Sequence, residues 1–154
     1  MTGAGERAAI TEVIFRYGAA LDDRDTDALM SCFTDDVRLE YFDGAVVMDG
    51  IDEARAFFRF DGRGGLPGLD ATVRTTHVWN VGAIAVAGDD ASASTSCVAY
   101  VLGTTGGEGV LVTRGLRYVD ALRNLRSGWR IRHRRHLADW ETRTPATSPL
   151  IGRA

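Results

Sequence analysis

The sequence predicts an α+β fold, a curved antiparallel or mixed sheet wrapped around three helices from the N-terminal half, in the order α-α-β-β-α-β-β-β-β. Three observations predict it. Apolar residues recur at helical spacing over roughly 6–21 and again over 51–60. The period drops to two at residue 37, and after a Gly-rich loop at 61–71 every remaining segment reads as strand. Helices segregated from a run of antiparallel strands define α+β rather than alternating α/β architecture. The four late strands are long, as in a strongly curved sheet, and three helices on one face of such a sheet leave a conical cavity.

The first helix follows from Ile10, Val13, Ile14, Tyr17 and Leu21, which share one face. The acidic run DDRDTD (22–27) stops it, and Asp25 or Thr26 can cap a shorter helix carrying Ala28, Leu29, Cys32 and Phe33. VRLEYF (37–42) puts Val37, Leu39 and Tyr41 on one side of a strand, and Asp43-Gly44 signals a hairpin into 45–48. IDEARAFFRF (51–60) returns to helical spacing, with Ile51, Ala54, Phe57 and Phe58 on or beside one stripe. The loop 61–71 does not spell a dinucleotide-binding fingerprint, because Pro67 falls where the last Gly is needed. Strands are then expected at about 73–87, 91–102, 109–122 and 128–139. A single domain is expected over 1–154, with a core of about 6–140 and a Thr/Pro/Ala-rich, loosely packed tail over 141–154.

All eighteen basic residues are Arg. Without Lys there is no Schiff base, no P-loop lysine and no amine general base. Residues 1–61 hold fourteen acids and six Arg, residues 62–154 seven acids and twelve Arg, and seven of those Arg lie between Arg117 and Arg135. The net charge of −3 argues against a phosphate-binding groove, so the Arg run is expected to be internally paired or a solvated strand face, with no nucleic-acid partner. Cys32 and Cys97 lie far apart, without a CxxC, and read as buried hydrophobes of a reducing compartment. The N-terminus lacks a basic-then-apolar leader pattern and no apolar run reaches bilayer length, so a cytoplasmic protein with no membrane partner is expected.

FRYGAALDDRDTDALMSCFTDD (15–36), THVWN (76–80) and GLRYVDALRNLRSGWRIRHRR (115–135), in this order, resemble the SnoaL-like group of the nuclear transport factor 2-like superfamily. The resemblance spans about 6–140, nearest the scytalone dehydratase and bile acid dehydratase branch. The same cone-shaped fold is used by ketosteroid isomerase and limonene epoxide hydrolase. It hosts many chemistries and some members without catalysis, so function must come from the site.

Tyr17 lies on the apolar helix face, where the pattern favours a core aromatic over a hydroxyl donor to substrate. Asp22 is five residues on, about 140° around an ideal helix, so it shares no face with Tyr17 within one regular helix but can reach a cavity if the helix ends there. His77 shares a strand face with Thr75, Trp79 and Val81; a lone strand His is more often structural, but it is also the natural proton shuttle near neutral pH. The resemblance implies more: Tyr17 and Asp22 match the helix-end pair of the dehydratases, and His77 the strand histidine that pairs with the aspartate. On that reading Asp22 orients His77 for proton transfer and Tyr17 stabilises the oxygen that gains charge.

His133 and His136 should face opposite sides of their strand, and with three His in all no metal site is expected. By parity His133 accompanies Trp129 and Ile131 toward the cavity, while Arg130, Arg132 and Arg134 face outward and Asp120 pairs with Arg135. Phe33, Tyr41, Phe57, Phe58, Trp79, Tyr100 and Trp129 would line a site for a polycyclic or terpenoid-like ligand, or fill the core. Ser92, Ser94 and Ser96 alternate without an elbow motif and read as a polar sheet face. The expectation is a cofactor-free acid–base enzyme, with dehydration favoured over isomerisation or cyclisation, acting on an apolar oxygenated small molecule such as a polyketide, steroid or terpenoid. The alternative is a non-catalytic ligand-binding or accessory subunit. A homodimer through the outer sheet face is implied by the resemblance.

Overall fold

A computed structural model describes residues 3–60 and 66–151. The first helix, α1, runs over Gly3–Asp23 and buries Ile10, Val13, Ile14, Tyr17, Gly18 and Ala20 along one side. It ends where Arg24 turns to a φ of 57°. Asp25 then caps α2 (Thr26–Met30), its side chain accepting the Ala28 N–H at 2.9 Å.

Strand β1 (Phe33–Tyr41) begins earlier than its alternation suggested, so Phe33 belongs to the strand and not to α2. A turn with positive φ at Phe42, Asp43 and Gly44 leads into β2 (Val46–Asp49), the hairpin signalled by Asp-Gly. The short α3 (Ile51–Phe57) ends three residues sooner than expected. Four long strands follow: β3 (Ala71–Ala87), β4 (Asp90–Thr105), β5 (Glu108–Leu125) and β6 (Gly128–Pro145). The last runs past the expected end at 139, and Thr142–Pro145 are paired with Val110–Thr113 instead of hanging loose. β-branched Thr142 and Thr144 suit that ladder despite their polarity.

The sheet order is β2-β1-β6-β5-β4-β3, with β1 parallel to β6 and every other neighbour antiparallel. The helices cover one face of this curved, open sheet. That inner face carries Ala91, Ala93, Thr95, Cys97 and Ala99 from β4, all buried, while Ser92, Ser94 and Ser96 point outward into solvent. The two cysteines are buried and unpaired. Among the described residues no helix is long and apolar enough to cross a membrane.

One irregularity reassigns the last strand. Leu122 pairs with Ile131 but Ala121 pairs with His133, so Arg132 is an extra, exposed residue and the alternation of β6 inverts beyond it. Trp129 and Ile131 face inward before the bulge; Arg134 and His136 face inward after it. The expected outward placement of Arg134 is therefore corrected, and so is the inward placement of His133, whose side chain is 37% exposed and meets Glu40. Of the seven clustered Arg, Arg117, Arg123, Arg134 and Arg135 lie against Asp139, Asp90, Asp120 and Glu40 respectively. Most of that basic run is thus engaged with acids of its own chain.

Candidate active site

Two elements build the centre of the site. The inner face of β3 presents Thr75, His77 and Trp79 toward α1, whose last two turns carry Tyr17, Gly18 and Asp22. Gly18 makes the contact close: a Cβ there would lie 2.2 Å from the Trp79 indole nitrogen. Drawn in over this notch, the last turn of α1 delivers Asp22 to His77. His77 Nδ1 lies 2.6 Å from Asp22 Oδ1, and the His77 backbone N–H donates to Oδ2 at 2.9 Å. Both side chains are largely sheltered, 7% exposed for His77 and 18% for Asp22. Burial alone would raise the Asp22 carboxyl, but the hydrogen bonds and charge of His77, helped by Thr75, hold it below the ordinary carboxylate range. An ionised Asp22 accepts from Nδ1–H, which leaves Nε2 as the basic nitrogen.

Tyr17 points elsewhere. Its hydroxyl is 2.5 Å from that of Tyr41 on β1, and its ring meets Trp79 edge-on at 5.7 Å, as the wide angular separation from Asp22 requires. His77 in turn stacks on Trp79 at 5.7 Å, so one indole bridges the imidazole and the phenol. Two hydroxyls joined by one hydrogen bond retain one O–H for another acceptor. Burial raises both phenols above the ordinary tyrosine range, Tyr41 strongly.

Sequence reasoning did not place Arg134 here. Its guanidinium is fully buried, grips Asp120 through two hydrogen bonds of 2.7 Å, and lies over the Tyr17 ring at 4.0 Å and the Tyr118 ring at 4.7 Å. The partner expected for Asp120 was Arg135; the bulge at Arg132 makes it Arg134. Arg134 Nη1 is shut off from solvent and has no hydrogen-bond partner among the described residues. The Arg134 charge opposes the burial that raises Tyr17. His136 is also inside, stacked on Tyr41 at 4.9 Å, its Nδ1 accepting the Phe42 N–H at 3.3 Å. Burial and the nearby Arg114 charge push its pKa down to about 4, so it is neutral and its proton sits on Nε2.

A model of the SnoaL-like domain matches residues 4–135. The chain belongs to the SnoaL-like domain family. No curated protein matches it in sequence. Among solved structures, this SnoaL-like chain is similar to a scytalone dehydratase-like protein from Novosphingobium aromaticivorans (TM-score 0.76, 22% identity, covering 99% of this chain and 97% of that one). It is similar also to a hexachlorocyclohexane dehydrochlorinase (0.76, 16%, covering 95% of each). A ketosteroid isomerase-like protein from Erwinia carotovora atroseptica gives 0.67 at 18% identity, covering 86% of this chain and 95% of that one. At these identities the likeness carries the fold, and the chemistry rests on the residues of the site.

The other residues expected to line the SnoaL-like site divide. Phe33, Tyr41, Phe58 and Trp129 are buried in the interior, and Trp79 is partly buried against them. Phe57 is 42% exposed at the edge, although its ring touches Tyr41 and Phe58. Tyr100 is 38% exposed on the outer sheet face and does not line the interior, because the inward position of that pair on β4 is Ala99. Among the described residues no group of three or more His, Cys, Asp or Glu could hold a metal ion. Asp120 and Arg134 lie almost symmetrically about the Arg126–Ser127 turn, a clue to their pairing that strict alternation overrides.

Proposed function

We propose that the protein is a cofactor-independent acid–base enzyme of the lyase, isomerase or cyclase type, with dehydration favoured, acting on an apolar oxygenated small molecule such as a polyketide, steroid or terpenoid. The contact that supports this most is His77 Nδ1 to Asp22 Oδ1 at 2.6 Å, backed by the second bond from the His77 backbone. Asp22 fixes the imidazole tautomer and stabilises its charged form; Nε2 then removes a proton from carbon. In dehydration the C–H electrons form the new double bond, the C–O bond breaks, and the departing hydroxyl takes a proton from the Tyr17–Tyr41 pair to leave as water. The imidazolium returns that proton to the phenols. Arg134, fixed over the Tyr17 ring, stabilises negative charge on the phenol oxygen or the substrate oxygen beside it. The proteins it resembles in fold include ones named for dehydration, loss of HCl and ketosteroid isomerisation, all of which require proton transfer at carbon.

Exchange of the α-protons of 2-tetralone in D2O, followed by proton NMR, tests the shared step without assuming a subtype. The wild type should accelerate exchange, and His77→Gln and Asp22→Asn should each lose about 10²–10⁴-fold. Exchange no faster with wild type than with His77→Gln would sink the catalytic reading. The ring-to-ring packing of Tyr17, Phe33, Trp79 and Tyr118 favours a second reading, a non-catalytic binding module or accessory subunit, and that result would support it. Scytalone, hexachlorocyclohexane and a ketosteroid would then separate the subtypes. We further expect a cytoplasmic protein, in keeping with its unpaired thiols, and a homodimer joined through the outer sheet face, where Val78, Tyr100, Val119 and Trp140 are exposed. Light scattering of Trp140→Arg should show monomer where wild type shows dimer.

A further inference from the structure

The inner sheet face carries a second buried cation, apart from Arg134. Arg114 of β5 stands in the same cross-strand row as the dyad: His77 pairs with Ala99, Ala99 with Arg114, and Arg114 with Glu141. His77 and Arg114 are thus two strands apart, about 10 Å at the backbone, with Ala99 between them in that row. Arg114 is 8% exposed. Its guanidinium lies over the Phe42 ring at 5.4 Å, and Nε approaches Glu141 at 3.2 Å without completing a hydrogen bond among the described residues. Glu141 is itself shared, accepting from Arg143 at 2.9 Å, while Arg143 also donates to the Pro67 and Gly68 carbonyls. Burial works against the Arg114 charge. A guanidinium is a planar fork of five donors, and its Nε here is buried without a completed hydrogen bond, which is costly. Arg134 differs, because two of its nitrogens are committed to Asp120.

We propose that Arg114 is the specificity-determining residue of the site and holds a carboxylate at the end of the substrate remote from the carbon that His77 deprotonates. This rests on the interior being the substrate site, as argued above. A carboxylate matches the guanidinium fork in shape and charge. Glu141 can turn wholly to Arg143 when the ligand arrives, so binding leaves neither acid nor base without a partner. The preferred substrate is therefore an apolar ring system with one carboxylate, not a neutral steroid or terpene.

Calorimetric titration of 2-naphthoate and its neutral isostere 2-naphthamide into wild type, Arg114→Met and Arg114→Lys tests this. Wild type should bind naphthoate at least about tenfold more tightly than the amide, and Arg114→Met should lose at least about tenfold for naphthoate while the amide changes less than about threefold, as removal of a charge-assisted hydrogen bond requires. Arg114→Lys, which keeps the charge but loses the fork, should fall between. Naphthoate should also shift the His77 imidazole resonances. Equal affinities in wild type, equal losses for both ligands in Arg114→Met, or an unmoved His77 would each overturn the assignment, and an intact amide affinity reports that the variant is folded. Since binding is measured and not turnover, a negative result here leaves the proton-transfer proposal standing, and loss of tetralone exchange leaves this one standing.

Discussion

Two carboxylate–nitrogen pairs lie against the same first helix, and they are built to opposite ends. Asp120 and Arg134 come from neighbouring strands, are buried to 2% and 0%, and meet through two bonds within a shell of aromatic rings. Asp22 and His77 come from a helix end and a strand, retain some solvent contact, and spend one of their bonds on a backbone N–H. The first pair fixes a permanent charge, since a guanidinium held by a carboxylate in a dry interior keeps its proton. The second fixes the orientation of an imidazole by committing its Nδ1 to a carboxylate. A buried ion pair and a carboxylate-oriented imidazole thus stand beside one helix, and different parts of the chain supply them.

The contrast is most directly broken by removing one partner from each pair. Asp120→Asn should cost about 3–5 kcal/mol in urea unfolding, because it strands a buried guanidinium. Asp22→Asn should cost clearly less; equal costs would mean that both pairs are structural. The pH dependence reports the surroundings of His136. His136, near Arg114 and Arg134, is held neutral down to about pH 4 in the folded state but takes up a proton near 6.5 when unfolded. Its contribution is therefore complete above pH 6.5 and is lost as pH falls toward 4, about 3 kcal/mol in all, a slope that should vanish in His136→Gln.

Gly18→Ala forces the α1–β3 contact apart and should cost about 1–3 kcal/mol, the usual price of overpacking, with loss of tetralone exchange because Asp22 moves with the helix. The Arg134 ion pair, held between β5 and β6, should survive this change. The smallest effect concerns Asp22 alone. Its carboxyl is depressed in the folded state, so its stabilisation is present above the unfolded value near pH 4 and lost as pH falls below it; Asp22→Asn should flatten only that acid limb.

The fold was readable because periodicity records which face of an element is buried, and that face repeats over many residues. The helical stripe of α1 and the serines of β4 fell where alternation placed them. Asp22 and His77 were singled out through family resemblance, since no local pattern brings residues 55 positions apart into contact. Arg134, His136 and His133 were misassigned or passed over for one reason: an extra residue in β6 leaves no mark in the hydrophobic pattern, as Arg132 is flanked by a buried Ile and a half-buried His. Tyr100 failed for another. Aromatic size suggested an interior role, whereas the pleat gives that place to Ala99. Arg114 carried no signal at all, being one Arg among eighteen.

The bulge at Arg132 behaves as a phase control for the strand. Straightening the strand with Arg132 kept in the ladder would turn the same downstream letters inside out, carrying Arg134 and His136 to solvent and bringing Arg135 toward the tyrosines. Within this scaffold, then, forming or erasing a bulge in β6 at constant length would re-equip the interior with different charges while leaving helices, strand count and topology untouched. Bulge placement in one strand is thus a route to new chemistry that point substitution alone reaches only in several steps.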